Sequence, residues 1–92
     1  MISVSMVGAN IYQVVVSDEV ETEHRVEMSA EYYKKLCGGK VTHEWVLVQA
    51  FRFLLKREAN TEILSEFELS VIGRYFPEFE SELQALLSNS VT

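Results

Sequence analysis

The apolar positions of residues 11–28 alternate as a half-buried sheet requires. Ile11 to Ser17 reads IYQVVVS, which places Tyr12, Val14 and Val16 on one face and Ile11, Gln13 and Val15 on the other. Asp18-Glu19 opens a turn, and the chain reverses within Asp18–Thr22. From Thr22 to Met28 the alternation is cleaner, with His24, Val26 and Met28 facing one way and Glu23, Arg25 and Glu27 the other. The two runs predict an antiparallel hairpin. Its register stays open, because the turn carries no Asn-Gly or Gly-rich signal. A lone hairpin is marginal in water, so its apolar face needs a cover.

Beyond Met28 the period changes from two to that of a helix. Ser29 is an N-cap whose hydroxyl can accept from a free helix amide, and Glu31 puts negative charge in the first turn. Tyr32 and Leu36, like Tyr33 and Cys37, are four apart, and Gly38-Gly39 stops this short helix. Thr42 caps the next one, which runs without a breaker from His43 to Glu58. On its wheel Trp45, Gln49, Arg52 and Lys56 form one narrow stripe. Val46, Leu47, Val48, Ala50, Phe51, Phe53, Leu54 and Leu55 occupy more than half of the wheel. A surface helix needs an apolar arc only somewhat above about 100°. This helix therefore lies at the centre of the fold, or against a second chain, or both.

The last third is more broken. Ala59-Asn60-Thr61 reads as loop and cap, Glu62–Phe67 as a short helix, and Leu69–Phe76 as a further apolar helical segment interrupted by Gly73. Pro77 suits the first turn of a final helix, PEFESELQALL, with Phe79, Leu83, Leu86 and Leu87 on one face. Asn89–Thr92 is expected to fray. The fold class is α+β: an N-terminal antiparallel hairpin, residues 11–28, packed against a layer of three to five helices around a central helix at about 43–58. Residues 1–92 make one domain, with 1–10 either a loose arm or an edge strand.

Charge adds a pattern that the net value of −6 hides. Residues 1–33 carry six acids and one base, 34–57 one acid and six bases, and 58–92 seven acids and one base. The balances are −5, +5 and −6. Basic central helices packed beside acidic flanking elements account for this most cheaply; a basic surface meeting an acidic partner is the other reading. Cys37 is the single cysteine, so there is no disulfide framework and no thiolate cluster for zinc, and a reducing compartment suits it. No basic leader precedes Met1, Ile2, Val4, Met6 and Val7, and no apolar run approaches the roughly 20 residues of a spanning helix. A cytoplasmic protein with no membrane contact is expected.

No catalytic constellation emerges. His24 reads as a structural strand residue, and His43 beside Glu44 is not followed by HExxH. Cys37 sits in the last turn of a helix, the wrong end for lowering a thiol pKa. Glu62/Glu66 and Glu78/Glu82 are ordinary solvated spacings in a chain with fourteen acids, and Asp18, Glu19, Glu21 and Glu23 lack the EF-hand pattern. Gly38-Gly39-Lys40 is a helix stop, not a phosphate loop. Neither a cofactor nor a metal is expected.

Two stretches carry a resemblance. From Arg25 to Glu58 the order is strand, serine-capped short helix, glycine turn and threonine-capped longer helix. This resembles the ribbon-helix-helix repressors, in which two chains pair one strand each in the DNA major groove. That resemblance implies a dimeric DNA-binding regulator or antitoxin-like protein, with Arg25 and Lys40 as contacts. It departs from the pattern in placing acidic Glu23 and Glu27 on the DNA-facing side, and in having a strand upstream where the second chain's strand should pair. The stretch from Phe51 to Glu82, with EILSEFELSVIGRYFPEFE at its centre, is similar to a set of small bacterial proteins of unassigned role. It implies a bacterial origin and lends no chemistry.

The leading expectation is a non-enzymatic interaction or scaffold protein that self-associates as a homodimer. Its interface candidates are Trp45, Gln49 and Phe53 on the central helix and Tyr75, Phe76 and Phe79 around Pro77. Each of these aromatics is also ordinary core material.

Overall fold

The structure, a computed structural model, describes residues 1–89. Its order is β1 (Ile2–Gly8), β2 (Ile11–Val16), β3 (Thr22–Glu27), α1 (Ala30–Cys37), α2 (His43–Leu55), β4 (Glu66–Glu68), α3 (Ile72–Tyr75) and α4 (Phe79–Asn89). Single 3₁₀ turns fill Asn60–Glu62 and Leu69–Val71. The strands form one sheet in the order β1-β2-β3-β4, antiparallel twice and then parallel. Helices cover one face of it, which is the α+β arrangement expected.

The hairpin has the expected faces. Tyr12, Val14, Val16, His24, Val26 and Met28 are buried, while Glu23, Arg25 and Glu27 point to solvent. Its register, open in the sequence, sets Tyr12 opposite Val26 and Val14 opposite His24. Residues 1–10 take the edge-strand alternative. β1 turns into β2 through Ala9-Asn10, with Asn10 in the left-handed region (φ 62°) and a register shift between Met6 and Gly8. Asparagine tolerates that conformation better than most residues, and the shift bends the strand end.

Both caps form as the sequence predicts. The Ser29 hydroxyl accepts from the Tyr32 amide and the Thr42 hydroxyl from the Trp45 amide, each at 3.1 Å. Gly38 (φ 63°) ends α1, its amide bonded to the Lys34 carbonyl at 2.7 Å. α2 is the axis of the core. Val46, Leu47, Ala50, Phe51, Phe53 and Leu54 are buried by this chain's own sheet and helices. Most of the wide apolar arc is therefore covered within one chain, with Val48 and Leu55 half-buried.

Four local expectations are corrected. α2 stops at Leu55, not Glu58: the amides of Arg57 and Glu58 both turn back to the Leu54 carbonyl at 2.9 Å, and Arg57 reaches across to α4. Glu62–Phe67 is not a helix, because β3 has an open edge that needs backbone partners. The Arg25 amide donates to the Ser65 carbonyl at 2.7 Å, and Glu66–Glu68 pairs parallel to β3 with Phe67 turned inward. α4 begins at Phe79, so Pro77 lies in the turn before it. Leu86 lies on the exposed side of α4, leaving Phe79, Leu83 and Leu87 as its buried face. Asn89 is the last helical residue, and Ser90–Thr92 lie outside the described residues.

The charge pattern finds its partner mainly in α4. Lys35 pairs with Glu80 at 3.2 Å, and Arg57 pairs with Glu78 at 3.5 Å and Glu82 at 2.8 Å. The Arg57 guanidinium also lies 3.6 Å from the centre of the Phe53 ring. Surface pairs of this kind contribute about 0–1 kcal/mol each, so they orient the last helix more than they hold it. Packing of Phe79, Leu83 and Leu87 holds it.

Candidate functional site

The loop after α2 builds a recess. Asn60 is buried, and its Nδ2 donates to the Val20 carbonyl at 2.7 Å and to Thr22 Oγ1 at 3.0 Å. His24 is buried too, with Nδ1 2.8 Å from the Leu64 carbonyl and Nε2 2.9 Å from Thr22 Oγ1. A carbonyl only accepts, so Nδ1 carries the proton. Thr22 Oγ1 accepts from Asn60 Nδ2, which leaves the hydroxyl's own proton to donate to Nε2. This directed relay ties residues 60–64 to β3.

With the loop fixed, a groove of about 190 Å³ opens between it and α3. Leu54, Ile63 and Ile72 form its buried floor, and Phe67, Val71 and Phe76 its half-buried walls. Leu64 and Tyr75 stand at its rim, 50% and 67% exposed. Glu58 and Glu62 complete its lining. Among the described residues neither carboxylate has a salt-bridge partner, and burial followed by the nearby Glu62 charge pushes the Glu58 carboxyl upward in pKa. Small-molecule sites usually run to about 300–1,000 Å³. This recess suits one large apolar side chain.

Glu80, on α4, is shifted the other way. The Tyr32 hydroxyl donates to it at 2.9 Å and Lys35 lies beside it, and together they lower its pKa against the opposing effect of burial. The two glutamates thus give stability opposite pH dependences. Glu80 contributes stability above its unfolded pKa, lost as pH falls through its lower folded value. Glu58 contributes stability below its unfolded pKa, lost as pH rises through its higher folded value. Urea midpoints between about pH 3 and pH 7 are expected to show Glu80→Gln flattening the acid limb and Glu58→Gln gaining stability toward neutrality. Parallel curves for wild type and both variants would contradict this assignment.

The six interface candidates separate. Tyr75 and Phe76 line the groove. Phe53 and Phe79 do not reach a surface: their rings meet edge-on at 5.1 Å inside this chain's core. Gln49 is buried as well, despite its place in the polar stripe. Trp45 is half-buried on the far stretch of α2, with the Arg52 guanidinium 5.7 Å from its ring centre. Arg25 is exposed on β3, opposite Gln13 and Glu66 and between Glu23 and Glu27. β3 has β2 on one side and β4 on the other, so the place a second ribbon strand would need is occupied. Lys40 is exposed in the turn after α1.

Ile63, Leu64 and Glu58 were not singled out in the sequence, because the groove they shape depends on the β3–β4 pairing. The alternation Glu66-Phe67-Glu68 was the available signal, three residues long. The other reactive side chains have ordinary work. His43 stacks on Tyr33 with ring centres 3.7 Å apart, and the Cys37 thiol donates to the Tyr33 carbonyl at 3.5 Å. Among the described residues no three metal-ligating side chains gather, and no helix is long and apolar enough to cross a membrane. Comparison with family models, curated proteins and solved structures finds no match to this chain.

Proposed function

We propose that this protein is a non-enzymatic interaction module of the cytoplasm, whose groove beside Tyr75 takes a single apolar side chain from a protein partner. The observation that carries this reading is the recess itself. It is apolar within, sized for one anchor residue, and flanked by the exposed Leu64 and Tyr75. Interfaces concentrate affinity in such pockets, where an anchor is fully desolvated and neighbouring contacts exclude water. Glu58 and Glu62 in its lining favour a partner with a lysine or arginine next to the anchor, since opposite charge speeds encounter and fixes orientation.

A random peptide display library panned on the protein tests this directly. Selected peptides are expected to share a large apolar residue with a basic neighbour, and to lose at least about tenfold in binding to Leu64→Asp, a loss of about 1.4 kcal/mol. Glu58→Gln is expected to retain the apolar preference and relax the basic one. No enrichment, or equal binding to Leu64→Asp, would refute the reading. Leu64 is half exposed, so that substitution leaves the core intact.

A further inference from the structure

Among the described residues β1, a seven-residue strand at the edge of the sheet, is bonded to β2 on one side alone. Met1 and Ser17 exchange both backbone bonds, at 2.9 and 2.8 Å. Bonded and non-bonded pairs alternate along an antiparallel ladder. With Ser3 opposite Val15 and Ser5 opposite Gln13, the amides and carbonyls of Ser3 and Ser5 therefore point to β2. Those of Ile2, Val4 and Met6, opposite Val16, Val14 and Tyr12, point outward along the free edge.

Exposed edges are normally guarded by charge, proline, brevity or a covering element. The opposite edge follows that rule: β4 has three residues, two of them glutamates. Among the described residues β1 has none of these guards before its end. Its side chains are uncharged, as is every side chain from Met1 through Ser17, in a protein whose net charge is −6. Two copies can approach through β1 without bringing carboxylates together. The rest of the chain carries fourteen acids against eight lysines and arginines.

We infer that β1 pairs antiparallel with β1 of a second copy, about a two-fold axis at Val4, to give one continuous eight-stranded sheet. The edge is self-complementary in this register. Val4 faces Val4 of the other copy, and Ile2 faces Met6, so the outward groups of all three residues meet in about six backbone hydrogen bonds. The same pairing brings the half-buried Ile2 and Val4 and the exposed Met6 of each copy side by side on the core face, Met6 being 60% exposed in a single chain. The assembly also closes. Both β1 edges are consumed, and what remains at either end is the short acidic β4 edge, so an isologous dimer forms and not a filament. Self-association, which the sequence placed on the 43–58 helix, moves to β1 because that helix is covered by its own chain. The groove reading is independent of this one.

Light scattering after size exclusion, over a range of concentrations, combined with amide exchange, tests the pairing. Wild type is expected to reach twice the mass of one chain. At that concentration the amides of Ile2, Val4 and Met6 are expected to exchange at least about tenfold more slowly than in dilute protein, while those of Ser3 and Ser5 are slow in both. Val4→Pro removes an outward donor and no bond to β2, as edge positions allow. It is expected to stay at the mass of one chain where wild type has doubled. A single-chain mass at every concentration overturns the proposal. So does a doubled mass with fast exchange at Ile2, Val4 and Met6, which would place the contact on another face. Should Val4→Pro fail to fold, the wild-type exchange pattern decides alone.

Discussion

Phe51→Ala is expected to lower the stability of this protein by about 3–5 kcal/mol, the usual cost of emptying a fully buried aromatic site. The ring has no exposure and occupies the middle of α2. It sits 5.3 Å from the His24 ring on β3 and 6.1 Å from the Phe67 ring on β4, measured between centres. Three elements therefore lose contacts at once, and partial collapse around the cavity cannot satisfy them all. Proteins hold about 0.05–0.15 kcal/mol per residue, which for this length is about 5–14 kcal/mol in total. The substitution should remove between about a fifth and all of it. With urea slopes of about 1–3 kcal/mol per molar, the midpoint should fall by more than about 1 M. Arg52→Ala, one residue away on the exposed side of the same helix, is the control. Its loss should stay within about 1 kcal/mol, the value of an exposed contact between Arg52 and the Trp45 ring. Equal losses for the two variants would mean that Phe51 does not anchor the sheet to the helix.

The contrast between Phe51 and Arg52 was open to reading in the sequence, and so was most of the scaffold. Ser29, Thr42 and Gly38 act locally, each through a bond or a dihedral within a few residues, and local rules locate such features well. Alternation did the same for Tyr12, Val14, Val16, His24 and Val26. Pairing that joins distant residues was not legible. Glu66–Glu68 is a strand because β3, some forty residues earlier, presents an open edge; within its own window, Ile63 and Phe67 at four-residue spacing suggest a helix. The groove inherits that difficulty, since Ile63 and Leu64 become a wall once the chain turns into β4. A helical wheel shows that α2 must be covered and is silent about which chain covers it. Phe53 and Phe79 therefore looked as suited to an interface as Tyr75, and burial separates them.

The loop that shapes the groove is held by polar bonds, so the sharpest test of how fold makes site is at Thr22. Thr22→Val keeps the size, the β-branch and the strand preference, and removes a single hydroxyl. That hydroxyl is the centre of the relay: it donates to His24 Nε2 and accepts from Asn60 Nδ2. Without it Nε2 is left with no donor in a ring that is 2% exposed, while Asn60 keeps its bond to the Val20 carbonyl. Leaving a buried polar atom unpaired costs about 1–3 kcal/mol, more than a typical surface substitution by a clear margin. Thr22→Ser retains the hydroxyl and loses a methyl group, and should cost less. The same ordering is expected at the groove. In Thr22→Val the His24 ring no longer has a fixed orientation toward the Leu64 carbonyl, so the 60–64 segment loosens, the Arg25 amide exchanges faster, and peptides selected on the wild type bind more weakly. If Thr22→Ser and Thr22→Val lose equal stability, the relay does not hold the loop. If Thr22→Val loses stability but binds selected peptides as wild type does, the loop is held without positioning the groove.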